Sequence, residues 1–171
     1  MEVIGGVGWK VLYLSDKSET LGGALKGMGT KLLPSVDAVT SVEDSEGRVV
    51  LLGLGNAAYD RRKTQNESLW NSHHLRANKV TVSDVVKELG GDQCIMIQYR
   101  NRSWITILLK YNGDIMTCEL REPAKEEQLA LRVNWLTPPM EDLTPQSIQA
   151  KQNCVGDIPA SYARSRRASS T

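Results

Sequence analysis

AVTSVEDSEGRVVLLGL, residues 38–54, is typical of a β-hairpin. Two runs of β-prone residues, 38–43 and 48–54, flank a polar tetrapeptide at 44–47. Gly47 closes that tetrapeptide, where a tight turn commonly needs a positive φ. We therefore predict two antiparallel strands joined at residues 44–47.

The second strand of this hairpin runs into Gly53-Leu54-Gly55-Asn56-Ala57-Ala58, which has the spacing of a dinucleotide-binding turn. That motif requires a βαβ unit and an acidic residue about 20 positions later. Here the preceding strand belongs to a hairpin and the later strands are predicted to be antiparallel. We therefore predict no nucleotide site. The glycines are expected to let the strand bend out of the sheet, and Gly55→Ala is expected to cost no activity, because none is expected at this turn.

Upstream of the hairpin, the sequence predicts a strand and then a helix. Residues 9–15, WKVLYLS, are β-prone. The stretch 16–35 predicts a helix that ends at Pro34, because apolar residues recur at helical spacing at Leu21, Leu25, Met28 and Leu32. Its four glycines weaken that helix by about 1 kcal/mol each.

Downstream of the hairpin, residues 56–82 are polar and predict a long loop or loose helix. A second helix is predicted up to residue 91, with Ser83 as its N-cap and Gly90-Gly91 as its stop. Residues 122–136 predict a third helix, with Pro123 in its first turn and an apolar stripe of Leu129, Val133 and Leu136.

Residues 93–121 predict a three-stranded antiparallel meander. Three β-prone runs are separated by Asn101-Arg102 and by Asn112-Gly113, the latter a strong hairpin signal. Alternate side chains on both faces are largely apolar, so both faces need to be covered by helices or by a partner chain. This pattern predicts association with another protein.

The predicted fold class is α+β, with an antiparallel sheet (the hairpin plus the meander) flanked by helices. We expect a single domain over residues 1–136. Residues 137–171 are Pro- and Ser-rich and predict a partly disordered C-terminal tail.

The order of predicted elements resembles the roadblock/dynein light chain family, to which ragulator-type scaffold subunits belong. KLLPSVDAVTSVEDSEGRVVLL, residues 31–52, is similar to that family's helix end, break and hairpin, with Asp44 and Gly47 at the turn positions. The resemblance implies a roadblock/longin-like domain. It further implies a protein that dimerises or joins a complex and serves as a platform for small GTPases or motors.

Composition excludes several function classes. The net charge of +1 provides no overall field to attract nucleic acid or membranes, so such binding would need a local patch. The apolar runs are shorter than the roughly 20 residues that span a bilayer, and the three cysteines suit reduced thiols. We expect an intracellular, cytoplasmic protein.

No catalytic set stands out, and we expect no enzyme activity, no cofactor and no small-molecule substrate. The adjacent pair His73-His74 lies in a polar stretch without a second ligand pair at metal-binding spacing. We therefore expect no metal site.

Local basic patches are the remaining candidates for binding. The candidate surface consists of Arg61, Arg62, Lys63, Tyr99, Arg100, Arg102 and Trp104, and Ser169 is a candidate phosphorylation site after two arginines. We expect a non-enzymatic scaffold protein that forms homo- or hetero-oligomers. The alternative is a small nucleic-acid- or membrane-binding assembly protein of viral accessory or matrix type.

Overall fold

The computed structural model describes residues 1–21, 31–60, 68–98, 102–113 and 115–140, with Leu21 and Lys31 described by their backbone alone. Within these ranges the fold is α+β. The strands are β1 (Val3–Ile4), β2 (Lys10–Leu21), β3 (Lys31–Glu43), β4 (Val49–Tyr59), β5 (Thr81–Ser83), β6 (Cys94–Gln98), β7 (Trp104–Leu108), β8 (Lys110–Tyr111), β9 (Met116–Thr117) and β10 (Val133–Thr137). The helices are α1 (Ser72–Ala77) and α2 (Lys125–Ala130), with a 3₁₀ turn at Lys87–Leu89.

The predicted hairpin at residues 44–47 is confirmed. Strands β3 and β4 pair antiparallel up to Glu43 opposite Val49, and Gly47 has a φ of 78°. The buried carboxylate of Asp44 accepts the backbone N–H groups of Glu46 and Arg48, each at 2.9 Å. Because a side chain satisfies donors that the turn leaves open, the turn is specified locally.

Strand β4 is the centre of what we call the large sheet, formed by β1, β2, β3, β4 and β10. On one side β4 pairs with β3, which pairs with β2. On its other side, β10 pairs in parallel with residues 51–54, and β1 pairs in parallel with residues 58–59. Strands β1 and β10 therefore lie one after the other along the same edge of β4.

The glycines of β4 lie where β10 crosses closely. A Cβ atom on Gly53 would lie 2.5 Å from the ring of Trp135, and one on Gly55 would lie 1.8 Å from the carbonyl oxygen of Pro138. The expectation that the strand bends out of the sheet here is wrong, and a side chain at either glycine would clash with the segment above it. The strand continues to Tyr59, and the glycines permit a close backbone approach.

The core lies between the large sheet and a small sheet formed by β5, β6 and β7. Side chains from both sheets, from α1 and from the N-terminal segment form one buried cluster, which includes Ile4, Trp9, Val36, Leu52, Leu54, Leu75, Ile95, Ile105, Ile107 and Leu136. The opposite face of the large sheet lies beneath the segment of α2, where Ser41 donates to the Glu127 carboxylate at 3.0 Å.

The predicted helix over 16–35 is wrong wherever the chain is described. Residues up to Leu21 and from Lys31 onward form antiparallel strands, with Thr20 opposite Leu32. Residues 22–30 lie outside the described part. The helical spacing of the leucines did not decide the structure. Pairing between β2 and β3 outweighs a helix propensity that the glycines already weaken.

The other two predicted helices are also largely replaced. Ser83 ends strand β5, and its hydroxyl accepts the N–H of Asp92 instead of capping a helix. Only the predicted stop holds, since Gly90 has a φ of 81° after the 3₁₀ turn. In the last segment the helix spans Lys125–Ala130, and β10 follows it and buries Leu136 beside β4.

The predicted meander is confirmed for its first two strands, β6 and β7, which pair from Cys94–Leu108 to Gln98–Trp104. Its third strand is wrong, because β9 pairs with β8 and β5 completes the small sheet. The polar stretch 56–82 contains the end of β4, helix α1 and the start of β5, while residues 61–67 lie outside the described part. Strand β10 extends one residue into the predicted tail, and residues 141–171 lie outside the described part.

Candidate functional site

The small sheet presents one of its faces to solvent. Ile95, Ile105 and Ile107 are buried in the core, and successive strand residues point to opposite faces. Alternate residues of β6 and β7 therefore face away from the core. We call this set the outer face; its members on these strands with some exposure are Met96, Gln98, Trp104, Thr106 and Leu108.

Two large apolar side chains of the outer face are exposed. Trp104 is 47% exposed and Leu108 is 51% exposed, and both lie on β7. The cross-strand register places Trp104 opposite Gln98, and Thr106 opposite Met96. A flat surface that carries an exposed indole and an exposed leucine on one strand is typical of a protein contact surface.

Both edges of the small sheet are occupied at their middle. At β7, the N–H of Ser45 in the β3–β4 turn donates to the carbonyl of Thr106 at 2.7 Å. At β5, the Arg76 side chain of α1 donates to the carbonyl of Val82 at 3.0 Å. Because these backbone acceptors are already used, the small sheet offers a partner its face and not a continuous edge.

The structure describes two of the predicted surface residues, Arg102 and Trp104. Arg102 lies in the turn between β6 and β7, exposed and with a φ of 67°, two residues before Trp104. The other predicted residues lie outside the described part of the chain, namely Arg61, Arg62, Lys63, Tyr99, Arg100 and Ser169. Sequence reasoning missed Leu108 as a surface residue, although its alternation with Ile105 and Ile107 was the signal that could have identified it.

The buried charged groups of the described residues stabilise the fold. The carboxylate of Glu2 is fully buried, with both oxygens 2.8 Å from Nδ1 of His74. The buried carboxylate of Asp37 accepts the N–H groups of Asn56 and Met140, each at 2.9 Å from its nearer oxygen. Each of these two carboxylates thus bonds to segments that are distant in the sequence, and neither lies on the outer face.

Among the described residues, the surroundings shift the pKa values of the Glu127 carboxylate and of the Cys118 and Cys94 thiols. The guanidinium of Arg121 lowers the pKa of Glu127 to about 2, with help from the N–H of Ala124. Burial raises the pKa of the Cys118 thiol to about 11, and burial also raises the pKa of the Cys94 thiol. A nucleophilic cysteine needs the opposite shift.

In the described ranges, no group of three or more His, Cys, Asp or Glu side chains is placed to hold a metal ion. Beside α2, a small depression is lined by Leu12, Val39, Leu51, Gln128 and Val133, which are mostly apolar side chains. No helix in the described part of the chain is long and apolar enough to cross a membrane. The outer face with Arg102 is therefore the candidate site that these residues support best.

Comparisons with known proteins found no match to a protein-family model, to a curated protein or to a solved structure.

Proposed function

We propose that this protein is a non-enzymatic interaction protein that associates through the outer face of the small sheet. The observation that carries the proposal is the exposure of Trp104 and Leu108 on a strand whose intervening residues Ile105 and Ile107 lie in the core. The occupied edges support binding through the face.

The exposed indole is large enough to contribute substantially to binding. A tryptophan side chain can bury up to about 250 Å², and 47% of Trp104 is exposed. Covering that fraction removes about 120 Å² of largely apolar surface from water, which is worth about 3 kcal/mol at about 25 cal/mol per Å². Tryptophan is also among the residues that most often dominate interface energetics.

The proposal is tested with the full chain and two matched variants. Trp104→Glu places a charge on the outer face, whereas Leu129→Glu places one on α2, where Leu129 is 63% exposed. Trp104→Glu should keep the wild-type circular dichroism with a lowered thermal midpoint, because about half of the indole is buried, whereas Leu129→Glu replaces a more exposed side chain and should keep both. We expect affinity capture with quantitative mass spectrometry, together with sedimentation velocity, to show association that Trp104→Glu loses and Leu129→Glu keeps. Equal association of all three proteins would contradict the proposal.

The finer assignment, a roadblock/longin-like platform for a small GTPase or motor, rests on the resemblance of residues 31–52, which contain β3, the turn after it and the start of β4. It would be supported by recovery of such a partner in a Trp104-dependent manner.

The alternative function is binding of nucleic acid or an anionic membrane. It is favoured by the exposed Arg102 guanidinium at the same end of the β6–β7 hairpin as the Trp104 indole, since bases stack on such residues. Binding of this kind weakens steeply with salt. A gel-shift and a vesicle-sedimentation assay at increasing salt would show it, and an Arg102→Glu variant would abolish it.

A further inference from the structure

Among the residues that the structure describes on β5, β6 and β7, the outer face of the small sheet carries no charged side chain. Its members with some exposure, including the two residues that β5 contributes, are Thr81, Ser83, Met96, Gln98, Trp104, Thr106 and Leu108. In an interface between two copies related by a two-fold axis, the same patch meets itself. A charged side chain near the axis would then face a like charge, and this face avoids that penalty.

The two ends of the same face carry opposite charges. Arg102 is exposed at the end where β6 and β7 are joined. At the other end, the connection 84–93 between β5 and β6 carries the exposed acids Glu88 and Asp92 and the exposed Lys87. The fourth charged residue of this connection, an aspartate, is already in an ion pair with α1. One end is thus basic and the other has an excess of acids.

We propose that the outer face binds the outer face of a second copy of this chain, with the β7 strands of the two copies antiparallel. In that orientation Arg102 of each copy lies against Glu88 and Asp92 of the other, and the two Trp104 indoles are covered. This partner assignment rests on the proposed function, because it uses the same surface.

The area of the outer face determines how tightly two copies are expected to bind. Strands of five residues are about 17 Å long, and three strands span about 14 Å. Such a face is far smaller than the roughly 800 Å² that each partner contributes to a standard stable interface. The dimer is therefore a weak one, in equilibrium with the monomer at micromolar concentrations.

The first test is sedimentation equilibrium of the full chain over loading concentrations from about 1 to about 500 µM, a range chosen to contain a weak dissociation constant. We expect a reversible monomer–dimer equilibrium. Trp104→Glu should weaken dimerisation at least about tenfold, and the Leu129→Glu control should leave the dissociation constant unchanged.

The second test is a charge exchange that only a dimer with antiparallel strands can satisfy. Arg102→Glu should weaken the dimer, and so should the pair Glu88→Arg with Asp92→Arg, because each leaves like charges facing one another. The chain carrying all three substitutions should recover a dissociation constant within about threefold of the wild type. Low salt should enlarge all of these differences.

Three results would overturn the assignment to a second copy. They are a wild-type chain that stays monomeric throughout the range, a Trp104→Glu chain that dimerises as well as the wild type, and a triple variant no better than its parents. A monomeric wild type that still binds another protein in a Trp104-dependent manner refutes the dimer and keeps the proposed function. A monomeric wild type with no such binding refutes both.

Discussion

Replacing Gly55 by alanine tests how closely β10 and the segment after it lie against β4. A Cβ atom at this position would lie 1.8 Å from the carbonyl oxygen of Pro138 and 2.5 Å from the Cα of Pro139. Both neighbours are backbone atoms, so no side chain can rotate away. The carbonyl oxygen would have to move by about 1.5 Å to reach an ordinary contact distance.

Such a displacement breaks identifiable hydrogen bonds. The Thr137 hydroxyl accepts the N–H of Gly55 at 2.9 Å and donates to its carbonyl at 3.0 Å, and both bonds are buried. Each bond is worth about 1 kcal/mol, and forcing an extra methyl group into a packed site costs about 1–3 kcal/mol. We expect Gly55→Ala to lower the free energy of unfolding by about 3–5 kcal/mol.

Urea denaturation followed by tryptophan fluorescence and far-ultraviolet circular dichroism measures this change. Gly90→Ala is the matched control: Gly90 has a φ of 81° but nothing within 4 Å of an added Cβ, so only a backbone cost of about 1–2 kcal/mol is expected. Thr137→Val removes the two hydrogen bonds without adding an atom at Gly55, and we expect a loss of about 2 kcal/mol. A Gly55→Ala protein within about 1 kcal/mol of the wild type would refute the close approach of these segments.

His74→Ala leaves the buried Glu2 carboxylate without its partner at 2.8 Å, and urea denaturation should show that the free energy of unfolding falls by about 2–3 kcal/mol. The fall is smaller than for a fully buried pair because the imidazole is 41% exposed. An unchanged urea midpoint would show that Glu2 does not need this imidazole. Asp44→Ala removes the carboxylate that accepts two backbone N–H groups of the β3–β4 turn. Amide hydrogen exchange in that turn should therefore accelerate, and the free energy of unfolding should fall by about 2 kcal/mol. Exchange rates equal to those of the wild type would contradict the role of Asp44 in the turn. The pKa of Glu127 is lowered from 4.5 to about 2 by Arg121, so its stabilising contribution is complete above pH 4.5 and is lost as the pH falls to about 2. Urea midpoints at pH 5, 4 and 3 should therefore decline less in Glu127→Gln than in the wild type, and parallel declines would contradict the ion pair.

Local signals in the sequence predicted the elements that local chemistry controls. The turn at residues 44–47 is specified by Asp44 and Gly47, which act within four residues of one another. The β6–β7 hairpin follows from two β-prone runs close together in the chain. For the candidate site, the sequence indicated Arg102 and Trp104 as residues of one surface, because both lie at the same hairpin end.

The missed elements depend on strands that pair across long sequence separations. Residues 16–21 and 133–137 belong to longer stretches whose apolar residues recur at helical spacing, yet each pairs as a strand within the large sheet. A pattern of i, i+4 and i+7 does not exclude a strand when a neighbouring strand supplies the backbone hydrogen bonds. The site could not be completed from the sequence for the same reason, since exposure of Leu108 depends on what packs above β7.

By itself, then, the sequence determined the α+β class and the two hairpins, because turn residues and β-propensity act over a few positions. The tertiary structure decided that Gly53 and Gly55 lie beneath β10, that β1 and β10 share one edge of β4, and that one sheet face stays open. Backbone pairing and burial depend on segments as far apart as residues 3 and 133, and no local pattern encodes which of them meet.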